Sequence, residues 1–346
     1  MKKAPGTLIF EYFNITPQKK FVPTHKMLKS ILLLTAATLV TSQGQFQPSP
    51  GYFPVTGDDT IAGGIFCIPA NDVSKYTAGT PAAAGGTGSE SPTGTGPVTS
   101  GSGPYPAAMG TDPGLPNHTI YAPKTPPAGN LSMPFISWGN GACQTDGSQY
   151  RNLLTEIASH GYVVAADGLP TGSTGGQSKV QDSRDSINWA MKGGAKKYGN
   201  IDTSKIASAG HSCGGLEAMS VGYHDARVKL MILFNIAIFM DEKRYLLQEL
   251  KVPVAWLVGG EKDMGFITSQ KDYKLLPAGL PAYWASLDTG HGGTFSATNG
   301  GKQGKAAVAY LQWQFRGNAT AKATCLDAKS KGSLVSDKWN VTYKNW

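Results

Sequence analysis

Short apolar runs alternate with amphipathic stretches along most of the chain, and the fold can be read from that alternation. Met133–Trp138, Tyr162–Ala166, Lys205–Ala209, Val228–Phe239, Val252–Gly259 and Ala282–Leu287 are apolar runs bounded by Gly, Pro or polar residues. Between the first two, Gln149–His160 sets Tyr150, Leu153, Leu154, Ile157 and Ala158 on one helical face, and Gly161 stops it. Further helices are expected over Val180–Lys192, just after Gly214, and over Ala306–Phe315, which closes the series. Apolar strands separated by helices predict an α/β fold: a mostly parallel central sheet with helices on both faces. Upstream, Thr60–Pro69 and Asn117–Pro123 read as two earlier strands.

The ends of the chain follow a different pattern. Lys26–Ser30 is a basic segment, Ile31–Val40 is apolar, and small residues follow to Ser42, the pattern of a signal peptide. Residues 1–42 are therefore expected to be an upstream segment plus signal, with Met27 as an alternative start; a type II anchor is the competing reading. The apolar core is shorter than the roughly 20 residues a bilayer requires, so stable membrane insertion is not expected. Residues 43–346 are expected to form one domain. Within it, 77–106 is a Gly/Ser/Thr/Pro-rich flexible insertion and 317–346 a polar tail.

Composition changes the picture in two respects. The formal charge of +8 falls to +3 once the six lysines and one glutamate of residues 1–42 are removed. No basic patch with interleaved aromatics remains, so nucleic acid is not an expected partner. The chain has four cysteines, Cys67, Cys143, Cys213 and Cys325, which in an exported protein suggest disulfides. Glycosylation sequons begin at Asn117, Asn130, Asn318 and Asn340. A secreted, extracellular glycoprotein is expected.

The candidate chemistry lies at Gly210-His211-Ser212-Cys213-Gly214, between a strand and a helix. A Gly-x-Ser-x-Gly turn in that setting exposes the serine hydroxyl on a strained backbone, with small neighbours where strand and helix pass closely. Such a serine needs a base. Of the six histidines, His25 leaves with the signal, His118 and His160 sit beside a sequon and at a helix end, and His224 is at the far end of the helix after Ser212. His211 reads as a packed elbow residue. His291 remains, in a glycine-flanked loop at a strand end. The partner that orients it is expected in Gly259-Gly260-Glu261-Lys262-Asp263; Asp263 is preferred, with Glu261 and Asp241 as competitors. The backbone N–H of Cys213 is one expected oxyanion donor, and the loop Gly139–Ala142 is expected to supply another. No Cys/His spacing suggests a metal, and no cofactor is expected.

Trp138-Gly139-Asn140-Gly141, Gly210–Gly215, Gly259–Asp263, Gly290-His291-Gly292 and the late segment Tyr310–Asn318 resemble the α/β-hydrolase superfamily. The likeness is to its dienelactone-hydrolase, chlorophyllase and polyester-hydrolase-like branch, of the secreted fungal type. The resemblance implies the order Ser212, Asp263, His291 for a catalytic triad. It also implies a second oxyanion donor at Ala142, although Asn140 stands where a histidine is usual. If that loop overlies the elbow, Cys143 and Cys213 come together and Cys67–Cys325 would tie an early strand to the tail; a free, buried Cys213 is the alternative. Trp138, Phe266 and Phe295 flank the catalytic loops and are expected either to line an apolar acyl site or simply to pack. The resulting expectation is a monomeric serine hydrolase acting on a small-molecule or polymeric carboxylic ester. The alternatives are a cutinase- or lipase-like polyesterase, or a non-catalytic binding protein on the same scaffold.

Overall fold

A run such as Val-Val-Ala-Ala at 163–166 has no polar side to turn to water, so it is stable only as a strand covered on both faces. The computed structural model describes residues 64–68, 96–172 and 176–346, all within the unit Pro50–Trp346. The leader expected over 1–42, most of the expected first strand and the insertion over 77–95 lie outside them.

Every apolar run named above downstream of residue 117 forms a strand. In chain order the strands are β1 (Ala107–Thr111), β2 (His118–Pro123), β3 (Met133–Gly139), β4 (Val163–Asp167), β5 (Ile201–His211), β6 (Val228–Phe234), β7 (Val254–Val258), β8 (Ala282–Ser286) and β9 (Asn340–Lys344). They make one sheet in the order β1-β2-β4-β3-β5-β6-β7-β8-β9. The pairs from β4 to β8 are parallel, whereas β1–β2, β2–β4 and β8–β9 are antiparallel. Successive side chains part to opposite faces: Val163 and Ala165 join one core, Val164 and Ala166 the other.

The helices are α1 (Arg151–Ser159), α2 (Val180–Met191), α3 (Cys213–Gly222), α4 (Phe266–Leu275), α5 (Gly301–Arg316) and α6 (Ala319–Leu326). Their faces follow from handedness. The connection from β3 through α1 to β4 steps one way along the sheet, while β4–α2–β5, β5–α3–β6 and β7–α4–β8 step the other way. Right-handed crossovers then require α1 on the face opposite α2, α3 and α4. Leu153, Leu154 and Ile157 of α1 accordingly share a core with Ala306 and Leu311 of α5, whereas Ile187 of α2 and Leu216 of α3 share the other. The reversal of direction beside β3 and β5 opens a crevice at their C-terminal ends.

Three sequence expectations need correction. Residues 64–68 form a buried turn, not a strand, because the Phe66 N–H bonds the Ser220 hydroxyl of α3 at 3.2 Å and its ring meets Tyr223 edge-on. A short apolar run cannot say whether sheet or helix will cover it. From Gly96 onward the small-residue segment packs as backbone: the N–H and hydroxyl of Ser102 bond Glu156 at 2.7 and 2.5 Å. The polar tail contains α6 and β9, and β9 covers the outer edge of β8.

The tightest packing is between strand and helix. A Cβ on Gly214 would lie 2.0 Å from the backbone carbon of Gly139, and one on Gly210 would lie 2.3 Å from the Gly214 carbonyl oxygen. Both obstacles are main chain and cannot rotate away. Gly214→Ala is therefore expected to cost about 3 kcal/mol or more, measurable as a lower midpoint in guanidinium melts.

Candidate active site

The turn from β5 into α3 holds Ser212 at φ 51°, ψ −124°, a backbone conformation unfavourable for a residue with a side chain. Surrounding bonds fix it there. The Ser212 N–H donates to Phe234 O at 3.0 Å, and Ser212 O accepts from the N–H of Gly215 at 2.9 Å. The hydroxyl meets His291 Nε2 at 3.0 Å, and His291 Nδ1 meets Asp263 Oδ1 at 2.8 Å. A carboxylate accepts, so Nδ1 carries the proton and Nε2 is left to accept from the serine. The Asp263 side chain is fully buried and also accepts the N–H groups of Gly259 and Gly265 at 3.0 and 3.2 Å.

The competing acids are elsewhere: Glu261 is exposed, and Asp241, also exposed, pairs with Arg244. Among the other described histidines, His118, His160 and His224 lie beside Asp167, Glu156 and Glu249, respectively. The base loop is tied to its neighbours at several points. The N–H groups of Thr289 and Gly290 bond Gly259 O at 2.9 and 2.7 Å, and the His291 carbonyl accepts Asn235 Nδ2 at 2.6 Å and His211 Nε2 at 2.8 Å. Asn235 was legible only as the one polar residue in the second half of the apolar run Val228–Phe239. Tyr150 was legible only as an apolar-face residue of its helix, yet its hydroxyl bonds both Gly141 N–H and His211.

The loop after β3 lies over the elbow. The Asn140 carbonyl accepts the N–H groups of Cys143 and Gly214 at 3.2 and 2.9 Å. The Asn140 side chain, fully buried, donates to Asp167 O and Gln144 O, so it anchors the loop from below. Cys143 and Cys213 are joined by a disulfide with their Cα atoms 5.2 Å apart. Ala142 is exposed with φ 53°. Among the described residues no acceptor takes the N–H of Ala142 or Cys213, although the amides of Gly141, Cys143 and Gly214 around them are all bonded.

Cys67 and Cys325 do not pair: both are free and buried, Cys67 in the core beside α3 and Cys325 in the opposite one, with the sheet between them. Burial pushes each thiol up to about 12. Two of the three expected acyl-site aromatics are core residues. Trp138 packs against Tyr150 and Phe234 with ring centroids 5.1 and 5.4 Å apart, and Phe295 packs against His211 at 4.8 Å. Both rings are spent in filling the space beneath the elbow. Phe266 is half-buried and rests on Trp284.

An acidic cluster lies under the elbow helix. Glu217 is completely buried, and Ser178 Oγ lies within hydrogen-bond distance of both of its carboxyl oxygens, at 3.0 and 3.1 Å. Burial first and nearby Asp167 second hold it well above the usual carboxylate range. Burial also raises Asp167, against the opposing pull of His118 at 3.2 Å.

A family model described as Chlorophyllase matches residues 119–242. The chain is also similar to "Chlorophyllase-1" of Arabidopsis thaliana, 35% identical over 97 residues, which is 27% of this chain and 30% of that protein. The match thus spans under a third of the relative's length. The family match takes in the β3 loop and the Ser212 elbow and stops before Asp263 and His291. With the sheet order above, the architecture is that of an α/β-hydrolase.

Two outcomes follow for this region. Removing the bridge with Cys143→Ala and Cys213→Ala releases a 70-residue loop and is expected to cost about 2–4 kcal/mol in denaturant melts, while peptide mapping of the parent without reductant should recover the linked pair. For Glu217, whose folded value is raised, the fold holds a proton that the unfolded chain releases above its ordinary 4.5. Its contribution is therefore lost as pH rises from there through the folded value. Glu217→Gln keeps an acceptor for Ser178 without that loss, so its Tm should exceed the parent's at pH 8, the gain shrinking toward pH 4.

Proposed function

We propose that the protein is a secreted serine hydrolase that cleaves carboxylic esters through an acyl-enzyme. The observation that carries this is His291, whose two ring nitrogens lie within hydrogen-bond reach of Ser212 and Asp263 at once. Ser212 attacks the ester carbonyl as His291 Nε2 takes its proton. Asp263 holds the imidazole in the tautomer that can accept and stabilises the cation that forms. The free N–H groups of Cys213 and Ala142 receive the negative charge developing on the carbonyl oxygen. His291 then returns the proton to the leaving alcohol, and water, activated by the same imidazole, releases the acid.

The chlorophyllase-like match over the elbow supports an ester as substrate, and a small-molecule ester suits it. The Cys143–Cys213 bridge supports export into an oxidising compartment, as do four sequon asparagines that are all exposed. Among the described residues no helix is long and apolar enough to cross a membrane. Phe266 is the expected residue with surface left for an acyl chain.

A panel of p-nitrophenyl esters of increasing acyl length tests the reading. Turnover should fall about 10⁴-fold or more in Ser212→Ala and about 10³- to 10⁴-fold in Asp263→Asn, and remain within about twofold in Glu261→Gln and Asp241→Asn. A fluorophosphonate should add to Ser212, read by mass. Inertness to every ester and to the fluorophosphonate would leave a binding scaffold as the better account.

A further inference from the structure

His211 stands next to the nucleophile but faces away from it, and its bonds have only one consistent direction. Its Nε2 lies 2.8 Å from the His291 carbonyl oxygen, which can only accept, so Nε2 carries the proton. Burial first, and the neighbouring His291 imidazole second, hold His211 well below the usual histidine range, so the ring is neutral and Nδ1 is an acceptor. The Tyr150 hydroxyl, 2.6 Å away, must therefore donate to Nδ1. Its oxygen in turn accepts the Gly141 N–H at 3.0 Å. The result is a buried relay with every group satisfied: Gly141 N–H to Tyr150, Tyr150 to His211, His211 to the carbonyl of His291.

The two ends of this relay are the loops that the proposed reaction must hold in register. Gly141 precedes Ala142, the second expected oxyanion donor, and the relay finishes on the main chain of the base itself. We infer that Tyr150 and His211 are positioning residues for hydrolysis, locking the β3 loop and the His291 loop to one another across the elbow. This rests on the ester-hydrolase reading. Neither residue bonds the reacting atoms, although the His211 ring packs on that of His291 with centroids 4.9 Å apart. Other contacts keep the two loops folded without the relay: the disulfide and Asn140 hold the first, and Asn235 holds the second. Breaking the relay should therefore loosen alignment rather than unfold the protein. Phe at position 150 also retains the ring packing on Trp138 and Phe295, at 5.1 and 5.3 Å.

The experiment compares the full chain with Tyr150→Phe, His211→Phe, His211→Gln and the Tyr150→Phe/His211→Phe double variant on a short-chain p-nitrophenyl ester, with Ser212→Ala as the blank. Tyr150→Phe is expected to lower kcat about 10- to 100-fold, the effect of a small misplacement of reacting groups, with KM within about twofold. His211→Gln, which keeps a donor for the His291 carbonyl, should lose less than His211→Phe. The double variant should be no worse than the poorer single one, since both cut the same relay. Unchanged kcat in folded Tyr150→Phe or His211→Phe, or effects that multiply in the double variant, would overturn the positioning role alone. An inert wild type would overturn the esterase reading and the positioning role with it.

Discussion

The close passage of one backbone over another, Gly139 against Gly214, is the constraint on which the rest of this region depends. It brings the loop after β3 directly onto the first turn of α3, close enough that Asn140 O takes the Gly214 N–H. The same closeness lets Cys143 reach Cys213. It also accounts for the unfavourable φ of Ser212, since a chain that must reverse from strand to helix within so little space has few conformations left. Glycine is required on both sides of the contact because the obstacle on each side is main chain.

From that contact the remaining pieces are placed by the sheet. The loops carrying Asn140, Ser212, Asp263 and His291 all leave the C-terminal ends of parallel strands, so residues far apart in sequence converge at one rim. Parallel pairing fixes how far each strand reaches, and short main-chain bonds do the rest: Gly259 O collects the amides of Thr289 and Gly290, joining the acid loop to the base loop. The aromatic layer of Trp138, Tyr150, Phe234 and Phe295 beneath the rim stops the loops from collapsing inward.

The parallel sheet was legible because its strands are buried on both faces and so read as uninterrupted apolar runs. The Ser212, Asp263 and His291 positions were legible because each lies in a glycine-flanked turn at the end of such a run, and the structure brings the three together. What escaped reading has a common cause. β1 and β9 lie at sheet edges and α6 packs only one side, so none carries a strong period. Tyr150 and Phe295 look like ordinary apolar positions, and only three-dimensional neighbours separate a ring that lines a site from one that supports it. The expected pairing of Cys67 with Cys325 came from leftover parity, which says nothing about the side of the sheet on which a thiol lies.

That last point has a consequence for how the chain matures. Four thiols allow three complete pairing schemes, and the one that contains the Cys143–Cys213 bridge would also have to join residues 67 and 325 across the sheet that separates them. With the sheet complete, the two leftover thiols are sealed on opposite sides of it and can no longer find each other.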